Sequence, residues 1–130
     1  GHMQICYIYD ELLFSHAGVT KTWAEENDID FNDLEQSINI LFMKNLEAFR
    51  FTYGENLDQS GDDVCQPPIW VRIPSLLKDM LEGFIFVIGH TTLRELYMDN
   101  NIIGIDCLGT SGEYLAIIDG MAYAKKLKNE

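Results

Sequence analysis

Positive charge is what this 130-residue sequence has least of. Nine Lys and Arg stand against twenty-one Asp and Glu, giving a formal charge of −12 and a pI near 4.4. Binding along a phosphate backbone needs a basic surface, so nucleic acid is excluded as a partner. Attraction to anionic lipid is excluded on the same ground. Long apolar runs are also missing. No segment approaches the roughly 20 residues that cross a bilayer, and no signal-peptide pattern opens the chain, so a cytoplasmic, non-membrane location is expected. Cysteine is scarce and odd in number: Cys6, Cys65 and Cys107 show no paired spacing, which argues for reduced thiols rather than a disulfide framework. Internal repeats and low-complexity segments are absent.

Hydrophobic residues make up 47% of the chain, ordinary for a globular protein, and the length suits one domain with a real core. Gly1-His2-Met3 reads as a cloning scar ahead of, or including, a native Met3. His2 is therefore set aside, and residues 4–130 are expected to form a single domain.

Gln4 to Tyr9 is β-prone, Asp10-Glu11 is a turn, and Leu12 to Ser15 is the next strand, so the chain is expected to begin with a hairpin. Thr20 or Thr22 is placed to cap a short helix through Trp23. Asn32 followed by Glu35 resembles a capping box, and Phe31, Leu34, Ile38, Leu41, Phe42 and Phe49 recur at helical spacing. Tyr53 to Pro68 reads as a polar loop. Its Asp62-Asp63 pair suits either a metal site or, more commonly, a solvated turn. Pro74 and Gly83 bracket a further short helix. Thr91 to Asn101 reads as a turn with a helical piece. Ile102–Cys107, Tyr114–Ile118 and Met121–Lys125 read as strands, the last two joined by an Asp119-Gly120 hairpin turn.

The stretch that carries chemistry runs from Phe84 to Thr92, Phe-Ile-Phe-Val-Ile-Gly-His-Thr-Thr. A short apolar run that ends in glycine reads as a buried strand followed by a sharp turn. His90 then stands at the carboxyl end of a core strand, where open α/β sheets gather ligand-binding groups. Leu12-Leu13-Phe14-Ser15 repeats the pattern and delivers His16, followed by Ala17-Gly18. These two strand-end histidines are the constellation that looks like a site. Their alternative role is that of polar groups satisfied at strand ends.

Several segments resemble, in order, one family. They are Leu13-Phe14-Ser15-His16-Ala17-Gly18, Ile69-Trp70-Val71-Arg72, Val87-Ile88-Gly89-His90-Thr91, Gly104-Ile105-Asp106 and Glu113-Tyr114-Leu115-Ala116-Ile117-Ile118-Asp119. The set is similar to the second half of calcineurin-like metallophosphoesterases of the bacterial and phage phosphoprotein phosphatase type. The resemblance implies an α+β fold: a mixed, mainly antiparallel sheet with flanking helices, half of an αββα sandwich. It implies that His16 and His90 are ligands of one divalent metal (Mn, Fe or Zn), and that Arg72 binds substrate phosphate. Asp106 falls where the family has structural support.

The departures are as informative. The sequence has no counterpart of the family's first-half Asp-x-His, Gly-Asp-x-x-Asp-Arg-Gly or Gly-Asn-His-Glu motifs, and so lacks the remaining ligands and the histidine acid. Thr92 replaces a common proline, and Cys107-Leu108-Gly109 replaces Thr-Gly-Ala. The expected function is the carboxyl-terminal portion of a metal-dependent phosphatase, inactive alone and acting on a phosphoester only when completed by an amino-terminal half. The alternative is a non-catalytic, phosphatase-like binding or interaction module. A lone half exposes a sheet face or edge, so a homo-oligomer is expected.

Overall fold

The structure is a computed structural model that describes residues 3–55 and 58–128. Gly1 and His2 of the expected cloning scar lie outside the described residues. The fold is α+β. β1 (Cys6–Tyr9) and β2 (Leu12–Ser15) form the expected hairpin, turning at Asp10, whose φ of +52° a short polar side chain tolerates. A long crossover then carries α1 (Lys21–Glu26), α2 (Leu34–Lys44), a 3-10 turn (Leu46–Phe49) and α3 (Ile73–Lys78) before the chain returns as β3 (Ile85–Ile88). β3 lies parallel to β2, with Ser15 opposite Ile88, and β5 (Ile102–Gly104) lies parallel to β3. β4 (Tyr97–Asp99) closes the far edge antiparallel to β5, giving the order β1-β2-β3-β5-β4. β6 (Glu113–Ile118) and β7 (Met121–Lys126) form a separate two-stranded hairpin.

The unbroken apolar run of β3 follows from burial on both faces. On one side Leu13, Phe86, Ile88 and Ile102 pack with Trp23, Ile38, Phe49 and Leu76 from the crossover. On the other, Leu12, Val87 and Ile103 meet Leu115, Ile117 and Ala122 of the β6–β7 hairpin. Among the described residues no helix is long and apolar enough to cross a membrane.

Local expectations are corrected at five points. Asn32 does not cap α2. The helix starts at Leu34 with Asp33 in the cap position and no side-chain cap bond, while the Asn32 N–H donates to Asp30 Oδ1 at 2.9 Å. Phe31, upstream of that start, is half exposed rather than core. α3 stops at Lys78, well before Gly83, because the Lys21 and Thr22 N–H groups bond to Asp79 O and Oδ2 and Thr20 bridges to Met80. The stretch 91–101 holds β4 rather than a helical piece, with Asn100-Asn101, both at positive φ, making the tight turn into β5. β5 itself ends at Gly104, where a side chain would strike Leu93 (2.5 Å from a Cβ to Cδ1).

Candidate functional site

The parallel pairing of β2 and β3 brings the two histidine-bearing turns together. The ladder runs one step past the strands, with the Gly89 N–H donating to His16 O at 3.0 Å. Beyond that bond each chain leaves the sheet differently. Ser15 Oγ accepts from the Gly18 N–H at 2.9 Å, and the Ala17 N–H donates to Pro68 O at 2.7 Å, so the His16 turn is fastened to the Pro67-Pro68 corner. Gly18 has φ +105° and sits on Leu76; a Cβ there would lie 2.4 Å from Leu76 Cδ2, so a larger residue would be strained and would have to displace Leu76.

At the tip of β3 the unusual backbone is at His90 rather than at Gly89, which the sequence had marked as the turning residue. His90 has φ +62°, and the Thr91 N–H reaches back to Gly89 O at 2.6 Å. This is a γ-turn of the rare, strained kind, with a non-glycine residue at its centre. The turn aims the imidazole at His16: His90 Nδ1 and His16 Nε2 are 3.1 Å apart, with ring centroids at 4.9 Å.

The hydrogen bonds fix the tautomers. His90 Nε2 lies 3.2 Å from Trp70 O, and a carbonyl only accepts, so Nε2 carries the proton and Nδ1 presents a lone pair. His16 Nε2 therefore donates across the pair while both rings are neutral. Burial lowers the pKa of His90 below its ordinary value, helped by the charge of Arg72 and by electrostatic repulsion between the two rings when they are protonated. Trp70 also makes a T-shaped contact with the ring, and Phe51 makes a T-shaped contact with Trp70.

Arg72 occupies the residue before α3. Its Nε donates to Ser60 O at 2.8 Å and its Nη1 to Thr91 Oγ1 at 3.2 Å, next in sequence to His90. Among the described residues no carboxylate pairs with it. Three of its five N–H donors are left for an anion, beside two imidazoles. Asp106 lies behind the site and accepts from Thr92 Oγ1 at 3.2 Å, while its carbonyl accepts from the Leu93 N–H at 2.8 Å. Asp62 and Asp63 serve the backbone: Asp62 Oδ1 accepts from the Ser75 N–H of α3, and buried Asp63 accepts from the Cys65 N–H. The Asp63 carboxylate is thus not in a solvated turn. Two participants were not legible beforehand. The Trp70 carbonyl leaves no side-chain signal, and Thr91 was visible only as the neighbour of His90.

The separation of the two ring nitrogens is compatible with two uses, the hydrogen bond described above or ligation of one ion. Two imidazole nitrogens each about 2.0–2.1 Å from one ion, at angles between right and tetrahedral, stand about 2.9–3.4 Å apart, which brackets the observed 3.1 Å. The carbonyl that holds the far nitrogen of His90 is the usual partner of a ligating histidine. The shell is partial, since among the described residues no three His, Cys, Asp or Glu side chains converge on one point.

No family model matches the chain, and no curated protein matches it. Its fold is similar to that of solved phosphatases. The cold-active protein-tyrosine phosphatase of the psychrophile Shewanella sp. superimposes with a TM-score of 0.60 at 19% identity, over 93% of this chain and 40% of that one. A point mutant of a cold-active protein tyrosine phosphatase gives 0.57 at 18% identity, over 93% and 40%. The chain thus spans about two fifths of the length of these neighbours, and it shares its fold with that part of them.

Proposed function

We propose that this chain is the carboxyl-terminal portion of a metal-dependent phosphoesterase of the calcineurin-like kind. His16 and His90 would hold one divalent metal, Mn, Fe or Zn, and Arg72 would bind the phosphate of the substrate. The metal would supply Lewis acidity toward a phosphoryl oxygen. The observation that supports this reading is the approach of His16 Nε2 to His90 Nδ1, with the His90 lone pair turned inward by the Trp70 carbonyl. A strained residue costs stability and persists where the surroundings enforce it, and His90 is such a residue.

Two imidazoles fall short of the three protein ligands usual for a catalytic zinc. The remaining ligands and the proton donor belong, on this reading, to a polypeptide segment comparable to the other three fifths of the phosphatase neighbours. The phosphatase neighbours are protein tyrosine phosphatases, so an aryl phosphate is the apt probe of substrate. The partial shell also favours a second reading, a non-catalytic module that keeps the phosphatase frame and binds without turnover.

Calorimetric titration with Zn²⁺ and Mn²⁺, followed by an aryl phosphate assay, separates the readings. Binding of one ion per chain, lost in both His16→Ala and His90→Ala, is the expected result, with no turnover by the chain alone. Absence of binding would overturn the metal assignment. Turnover by the chain alone, abolished by His90→Ala, would overturn the need for a completing segment.

A further inference from the structure

Arg72 is held by a segment rich in carboxylates, yet among the described residues it makes no ion pair. Asp58-Gln59-Ser60-Gly61-Asp62-Asp63 carries three acidic side chains, and what it offers the guanidinium is a backbone carbonyl, Ser60 O, at 2.8 Å from Nε. All three carboxylates accept from backbone donors instead. Asp58 Oδ1 accepts from the Ser60 N–H at 2.7 Å, Asp62 Oδ1 from the Ser75 N–H at 2.9 Å and Asp63 Oδ1 from the Cys65 N–H at 3.0 Å. A carboxylate on Arg72 would compete with an incoming anion for the same N–H groups; a carbonyl on Nε orients the fork and leaves its charge uncompensated.

Asp58 fixes where that carbonyl points. Its Oδ1 also accepts from the Ser60 hydroxyl at 2.5 Å, and its own carbonyl accepts from the Gly61 N–H at 3.3 Å, which closes a tight turn around Ser60. The Ser60 hydroxyl, with the Ser60 and Asp62 N–H groups, holds the Asp58 carboxyl below its ordinary pKa. Gly61 completes the turn at φ +86°. A Cβ there would lie 3.0 Å from Trp70 O, the carbonyl that accepts from His90 Nε2, so the turn rests directly against the anchor of the imidazole pair. The far side of the guanidinium meets the same pair: Arg72 Nη1 donates to Thr91 Oγ1, next to His90.

We propose, on the reading of Arg72 as the phosphate-binding residue, that Asp58 is a positioning residue: it acts through the Ser60 carbonyl to hold the Arg72 guanidinium in place before an anionic phosphoryl group arrives. A long side chain already ordered in the free protein spares the ligand the entropy of ordering it, which is worth about two- to tenfold in affinity.

Nuclear magnetic resonance of chain labelled with ¹⁵N-arginine tests this without phosphate. The sequence has three arginines, Arg50, Arg72 and Arg94, so the Arg72 Nε–H signal is assigned by its loss in Arg72→Lys. In the free protein that signal should show the heteronuclear NOE of ordered backbone. Asp58→Ala should bring it to mobile side-chain values, whereas Asp58→Asn, which keeps an oxygen to accept from Ser60, should leave it ordered; circular dichroism should be unchanged in both. Titration with inorganic phosphate then reads the consequence. Both variants remove one negative charge from a −12 chain, so charge alone would tighten anion binding in both. The expected result is instead a two- to tenfold weakening in Asp58→Ala and none in Asp58→Asn. An Arg72 Nε–H that is mobile in the wild-type chain, or that ignores Asp58→Ala, would overturn the positioning role while leaving the phosphate reading of Arg72 standing. Phosphate binding that is absent, or indifferent to Arg72→Lys, would overturn that reading, and with it the purpose assigned to Asp58.

Discussion

Replacing His90 separates the strain of its backbone from the interactions of its ring. With φ at +62° an L-residue costs about 1–2 kcal/mol, which glycine does not incur. Glycine loses about 0.5–1 kcal/mol more backbone entropy on folding than alanine does. Both His90→Gly and His90→Ala delete the same ring, the same bond to Trp70 O and the same contact with His16, so those losses cancel between them. What remains is relief of strain less the entropy cost, and His90→Gly should be more stable than His90→Ala by about 0.5–1 kcal/mol. Relative to wild type, the lost Nε2–H···O bond is worth about 0.5–1.5 kcal/mol, which leaves His90→Ala below wild type and His90→Gly close to it. Urea unfolding followed by tryptophan fluorescence reads this directly. With m near 1.5 kcal/mol/M, the two variants should differ in midpoint by about 0.3–0.7 M at equal m. His90→Ala as stable as His90→Gly, or more so, would refute the claim that the turn stores strain. The prediction bears on function because a sequence selected for stability alone would place glycine at this position.

The lowered pKa of His90 also makes stability depend on pH. The unfolded ring protonates near its ordinary 6.5 while the folded ring resists, so the unfolded state takes up more protons below that value. The His90 contribution to stability should be full above about pH 7, fall as pH drops through 6.5, and level off once the folded ring titrates. His90→Gln should remove that component of a pH series of urea melts. Thr20 is fully buried, accepts from the Trp23 N–H at the start of α1 and donates to Val64 O at 2.7 Å. Thr20→Val leaves both partners unmet in the core and should cost about 2–4 kcal/mol in thermal or urea unfolding. Burial, with the Glu35 charge beside it, pushes the Cys6 thiol up to about 12. Iodoacetamide at pH 8 should leave Cys6 unmodified in the folded chain and label it in urea.

Much of this arrangement was legible because it rests on short-range patterns. Asp10-Glu11 between two β-prone runs, and Asp119-Gly120 between two more, specify hairpins through residues that tolerate positive φ. His16 and His90 were each readable as strand-end residues. Their meeting depends on the parallel pairing of β2 with β3 across a crossover of some seventy residues, which only the shared core enforces. What stayed hidden belongs to tertiary contacts. Asn100-Asn101 is a turn between β4 and β5 because the far edge of the sheet receives β4. Asp62 reads as a solvated turn until α3 folds back to offer the Ser75 N–H. Helical periodicity drew Phe31 into the α2 stripe, yet the helix begins after it, where the Asp30 carboxylate and the Ser37 hydroxyl hold the chain in a turn.

X-ray absorption at the zinc edge, on chain loaded with one equivalent of Zn²⁺, tests the central claim most directly. The expected spectrum shows two imidazole nitrogens at about 2.0–2.1 Å, with the imidazole scattering halved or lost in His16→Ala and in His90→Ala. Imidazole scattering that survives intact in both variants, or its absence from the wild-type chain, would contradict the claim that these two strand-end rings share one metal ion.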